Sequence, residues 1–143
     1  SDKERVLELA MNFFRASNLP YGEVSEEKAI ALIQNCCDPS ITTSVLIGWE
    51  EDGALQGMLA GQLTEVLFNY NKVATELIWW VEPLYRKGES GPELLRAFEY
   101  WADFRDCSFV QMVGLQNSYA PALDRYYKKQ GFHLSESTYI KEI

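Results

Sequence analysis

The order of hydrophobic patterns along the chain predicts an α/β domain with a mixed, mostly antiparallel central sheet flanked by about four helices. Three observations carry this. Two helical periods open the chain; three β-rich runs follow, two of them joined by Asp52-Gly53; and the third run passes through a glycine-bearing loop into an amphipathic helix. The length of 143 residues fits one domain, 1–143, with a core large enough to fold without staples.

The elements follow in order. Residues 4–16 carry Val6, Leu7, Ala10, Phe13 and Phe14 at helical spacing, and Asn18, Pro20 and Gly22 end that helix. Ser25 caps a second helix whose first turn holds Glu26 and Glu27, where carboxylates favour the helix dipole. Its apolar stripe is Ala29, Ile30, Ile33, Cys36 and Cys37, and Asp38-Pro39-Ser40 stops it. Thr43–Trp49 reads as a strand, and Asp52-Gly53 turns it into a second from Leu55 to Gln62 or beyond, giving a hairpin. Asn69-Tyr70-Asn71 marks the next turn, before a third strand over Val73–Val81. Leu94, Leu95, Phe98, Trp101 and Ala102 mark a long helix. A strand over Ser108–Leu115, a helix over Tyr119–Gln130 and closing β structure over Phe132–Glu142 complete the reading.

Composition narrows the function classes. Net charge is −8, from 13 basic and 21 acidic residues, which argues against nucleic acid as a partner because that footprint is basic. No apolar run is long enough to span a bilayer, and the charged start Ser1-Asp2-Lys3-Glu4-Arg5 is unlike a secretion signal. Cys36, Cys37 and Cys107 are an odd set with two adjacent members and no metal-ligand spacing to the lone His133, so no metal is expected. They read as reduced thiols of a cytoplasmic protein.

The segment Trp79-Trp80-Val81-Glu82-Pro83-Leu84-Tyr85-Arg86-Lys87-Gly88-Glu89-Ser90-Gly91-Pro92-Glu93-Leu94-Leu95 holds the chemistry. It aims the free N–H groups of a helix start, with Arg86 and Lys87, at one point, a good place for a phosphate. Glycine lets backbone approach a ligand closely, and Pro92 near the helix start gives up an N–H that has no intrahelical partner. A turn with solvated charges accounts for the same residues. Downstream, Ala122-Leu123-Asp124-Arg125-Tyr126-Tyr127-Lys128-Lys129-Gln130-Gly131-Phe132 adds a helix ending in Tyr-x-x-x-Gly-Phe.

Together the two segments resemble motifs of the GNAT acyltransferases, which bind acetyl-CoA. The loop is similar to the family's Q/R-x-x-G-x-G/A, with Arg86 at the first position and Gly91 at the last. Glu89 stands at the middle glycine position, with Gly88 one place earlier, a variant similar to loops of small stand-alone GNAT-like proteins of bacteriophages. A carboxylate there is compatible with a pyrophosphate only if it points to solvent. The resemblance implies pyrophosphate binding by Arg86, Lys87, Gly88, Ser90 and Gly91. It places hydrogen bonds to pantetheine and the thioester at the backbone of Trp80 and Val81, and a pantetheine contact at Asn117.

The same resemblance puts Tyr127, four residues before Gly131-Phe132, where the family has the acid that protonates the leaving thiolate. A phenol suits that task, although the spacing of Leu123, Tyr126, Tyr127 and Gln130 also suits packing of a half-buried helix. Tyr126 is read as lying on another helix face. Glu76, ten residues before Arg86, takes the place of the base that deprotonates the amine, with Glu82 a second candidate. Simple alternation puts Glu76, Ile78, Trp80 and Glu82 on one face and Leu77, Trp79 and Val81 on the other. The expected function is transfer of an acetyl group from acetyl-CoA to an amine of a small molecule or protein; a homodimer is compatible with it. The alternative is a GNAT scaffold that is weakly active or inactive and acts by binding a partner protein.

Overall fold

A computed structural model of the chain describes residues 2–115 and 119–143. Helix α1 (Asp2–Ser17) follows the predicted period and buries Val6, Leu9 and Ala10. It stops where Asn18 (φ 49°) and Gly22 (φ 95°) leave right-handed helical space. Helix α2 (Glu26–Cys37) starts as expected, the Ser25 hydroxyl accepting the Lys28 N–H at 3.3 Å. Its buried stripe is Ala29, Ile33 and Cys36, whereas Cys37 is exposed.

Strands β1 (Ser44–Glu51) and β2 (Ala54–Glu65) form the hairpin. Its turn residues Asp52 (φ 54°) and Gly53 (φ 78°) are both left-handed, the conformation that lets a two-residue turn follow the strand twist. Strand β3 (Lys72–Val81) lies antiparallel to β2, and β4 (Phe109–Gln111) parallel to β3, giving the order β1-β2-β3-β4. A 3₁₀ turn, Pro83–Tyr85, links β3 to helix α3 (Ser90–Phe104), and helix α4 is Ala120–Lys129. The sheet is therefore mixed and mostly antiparallel, with β2 and β3 in its middle.

Each face of the sheet carries a core. On one, α1 and α2 pack Val6, Leu9, Ala10, Ile33 and Cys36 against Met58, Ala60 and Ile78. On the other, α3 packs Leu94, Phe98 and Ala102 against Leu59, Ala74 and Val81. Among the described residues no helix is long and apolar enough to cross a membrane.

Two elements differ from the expectation. The strand predicted over Ser108–Leu115 pairs for three residues only, Phe109–Gln111 against Val73–Thr75, and then leaves β3. Residues 132–142, expected as closing β structure, form no strand; Leu134 and Tyr139 lie largely in solvent. Alternating apolar residues make a strand only when a partner strand meets their backbone groups, and this segment joins none of the sheet's ladders.

Candidate active site

The departure of β4 from β3 opens a cleft of about 690 Å³. One wall is β3, from Glu76 to Val81; the opposite wall is Val113, Leu115 and helix α4 with Leu123, Tyr126 and Tyr127. Arg86, Gly88, Gly91 and Pro92 line its end at the start of α3, and Phe13, Phe14, Leu19 and Tyr21 line its α1 side.

The vertex is set by a bulge in β3. Ala60 pairs with Ile78 but Gly61 pairs with Glu76, so Leu77 is an extra residue in the ladder. Strict alternation therefore fails. Leu77, Ile78 and Trp80 pack with the α1–α2 core, whereas Ala74, Trp79 and Val81 pack with the α3 core. Glu76 stands opposite Gly61, whose missing side chain leaves the room that the Phe98 ring fills on the α3 face. Glu76 thus shares the face of Trp79, not that of Ile78 and Trp80 as the alternation predicts. A single inserted residue reverses the face of everything beyond it.

Glu76 is only 6% exposed. Its carboxylate accepts the Val113 N–H at 3.3 Å, a backbone donor freed because β4 has already left the sheet. Burial outweighs that bond and raises its pKa to about 7. Across the cleft, the Tyr127 ring packs on Trp79 (6.0 Å between centroids) and Phe132 (5.7 Å). Burial, then the Glu76 charge, then Tyr126 push its phenol well above the usual tyrosine range. Tyr126, its neighbour on α4, also lines the cleft, its ring 6.1 Å from Trp79. The groups acting on its hydroxyl after burial are Arg96 and Glu99, on α3, and Glu89, at the N-cap of that helix, rather than Glu76.

The loop residues divide by role. Arg86 donates from Nε to the Val81 carbonyl at 2.7 Å, and its guanidinium lies 4.4 Å over the Trp80 ring, so the cation is held at the cleft edge. Lys87 is exposed and outside the cleft lining. Gly88 and Gly91 line it. Ser90 is buried and donates its hydroxyl to the Tyr85 carbonyl at 2.7 Å, so its side chain shapes the loop and only its N–H remains for a ligand. Glu89, at the N-cap, makes no side-chain capping bond and leaves the helix start open. Its carboxylate, 74% exposed, pairs with Arg96 Nη2 at 3.1 Å, and Arg96 also holds Glu93. The departure from the glycine pattern therefore faces solvent and is partnered by a cation. Glu82 accepts from Asn12 at 2.9 Å and pairs with Arg5 at 3.5 Å, fastening α1 to the end of β3 rather than entering the cleft. Asn117 lies outside the described residues.

Several participants had no signal in the sequence. The Val113 N–H is an anonymous backbone group, and Leu77 becomes a bulge residue only through pairing with β2. The adjacent Phe13-Phe14 pair is a partial signal, since one helix face needs only one of them for its stripe.

The model of the acetyltransferase (GNAT) family matches residues 4–132. The chain belongs to the GNAT acetyltransferase family. No curated protein matches it. Solved structures similar to it include a predicted acetyltransferase with acetyl-CoA from Clostridium acetobutylicum, at TM-score 0.79 and 12% identity, covering 99% of this chain and 90% of that one. A ribosomal-protein-alanine N-acetyltransferase from Brucella melitensis biovar Abortus 2308 aligns with TM-score 0.75 and 14% identity, over 99% and 94% of the two chains. Glucosamine-6-phosphate N-acetyltransferase from Arabidopsis thaliana gives 0.71 and 15%, over 98% and 91%. At these identities the likeness shows the GNAT fold, with four helices and a four-stranded mixed sheet among the described residues of this chain.

Proposed function

We propose that this GNAT protein transfers an acetyl group from acetyl-CoA to an amine. The observation that carries the reading is the facing of Glu76 and Tyr127 across one cleft whose end is the open start of α3. The residues fit the cosubstrate. Uncapped N–H groups with Arg86 suit a pyrophosphate, the turned-out Glu89 removes the conflicting charge, and the wall of Trp79, Trp80 and Leu123 suits an apolar arm. Bound there, acetyl-CoA supplies an activated acyl group in its thioester.

The chain's residues then move two protons. An amine must lose a proton to form an amide, and Glu76, with its pKa near 7, takes it at neutral pH. The departing thiolate needs a proton, and Tyr127, whose hydroxyl stays protonated throughout the physiological range, gives it. The two events are coupled by charge. The Glu76 carboxylate raises the Tyr127 pKa, so its protonation removes that effect and makes Tyr127 a stronger acid at the stage when an acid is required. The backbone at Trp80 and Val81 is the place for a hydrogen bond to the arm or thioester, and the donor there is the Val81 N–H, because Trp80 pairs with Met58 in the ladder to β2 and the Val81 carbonyl already accepts from Arg86.

The test is release of CoA thiol from acetyl-CoA that depends on an added primary amine. Amine-dependent release, lost in Glu76→Gln and Tyr127→Phe, is expected. Absence of amine-dependent release across a broad amine panel would overturn the reading in favour of a scaffold that only binds.

A further inference from the structure

The cleft has a second wall that the proton chemistry does not use. At its α1 side stand Phe13, Phe14, Leu19 and Tyr21, and the β3 bulge turns Leu77 to the same side as Trp80. Phe13 and Phe14 sit edge to face, 5.4 Å between centroids. The Ser17 hydroxyl, one of the few polar groups there, donates back to the Phe13 carbonyl. Among the described lining residues Glu76 is the lone carboxylate, because Glu82 is occupied by Asn12 and Arg5 outside the cleft. Among the described lining residues the one cation is Arg86, over the Trp80 ring.

Resting on the acetyltransferase reading, we propose that this wall is an acceptor subsite for a primary amine with a single positive charge on an apolar, ring-sized body. A ring gains from leaving water against Phe13, Phe14 and Leu77. Its one ammonium meets Glu76. A second ammonium would be stripped of water with no second carboxylate to meet it and with Arg86 repelling it, which is the costly way to bury a charge. The overall acidity of the chain does not alter this, since surface charge steers approach while the lining decides what stays.

Such an amine can be free or can be the N-terminus of a peptide, so the test uses phenethylamine, a short peptide with N-terminal phenylalanine, and spermidine. Acetyl-CoA binding is measured on the same protein, which separates failure of the acceptor proposal from failure of the transferase reading. The expected result is kcat/KM at least about tenfold higher for one of the aromatic amines than for spermidine, the better of the two naming the source. A preference for spermidine, equal use of all three, or no acetylation of either aromatic amine by protein that binds acetyl-CoA would overturn the proposal. Tyr21, 72% exposed at the rim, gives a variant that spares the core. Tyr21→Ser, which removes apolar surface without adding a charge, should raise KM for the favoured aromatic amine several-fold, with acetyl-CoA affinity unchanged. An unmoved KM would count against the subsite.

Discussion

Glu76 is a carboxylate that the fold holds almost out of water with one backbone N–H for company, and that imbalance raises its pKa to about 7, which suits the base role proposed for it. Its folded pKa, about 7, lies above the ordinary glutamate value of 4.5. Burial therefore favours the protonated form, and the associated stability is fully present below the unfolded pKa and lost as pH rises through about 7. Glu76→Gln should abolish a rising limb of rate centred near pH 7 and remove the fall in melting temperature that Glu76 contributes as pH rises through about 7. A limb that survives in the glutamine variant would assign the base elsewhere. Tyr127→Phe keeps the ring contacts to Trp79 and Phe132 but removes the transferable proton. The rate should fall about 10²–10⁴-fold with acetyl-CoA affinity and melting temperature barely changed. Tyr126→Phe should cost far less, although its ring shares the cleft, because the Glu76 charge acts on Tyr127. Equal small losses from both would show that neither is the acid, and a loss of stability matching the loss of rate would show that Tyr127 only packs.

At the scale of elements, β3 carries the site because its bulge, its neighbour Gly61 and the Phe98 ring of α3 fit together. A methyl group at Gly61 would collide with that ring, so Gly61→Ala should destabilise the protein by about 1–3 kcal/mol in chemical denaturation, the usual cost of overpacking. An unchanged midpoint would mean that the Phe98 ring moves aside freely. The hairpin turn, Ser25 cap and loop-to-helix junction were legible in the sequence because local chemistry fixes each one. Asp52-Gly53 needs no distant partner to turn. The bulge at Leu77, the three-residue length of β4 and the unpaired segment 132–142 were not legible, since each depends on which strand lies alongside. For the same reason Glu76 was found by its spacing from Arg86 while its face was assigned wrongly.

Across the whole molecule, two cores clamp the sheet from both faces, and the functional groups collect where that sheet comes apart. The molecule is acidic overall, yet Arg86 and the open start of α3 share one end of the cleft, and the acidic Glu89 is drawn off by Arg96. The central claim is that this end receives the pyrophosphate of acetyl-CoA. Calorimetric titration of the folded protein with acetyl-CoA tests it most directly. Charge-assisted bonds to phosphate contribute roughly 1.5–3 kcal/mol each. The expected result is a single saturable site with Kd tighter than about 1 mM, weakened at least about tenfold by Arg86→Glu combined with Lys87→Glu. Folded protein that gives no saturable heat at millimolar acetyl-CoA, or a double variant that binds as tightly as the parent, would contradict it.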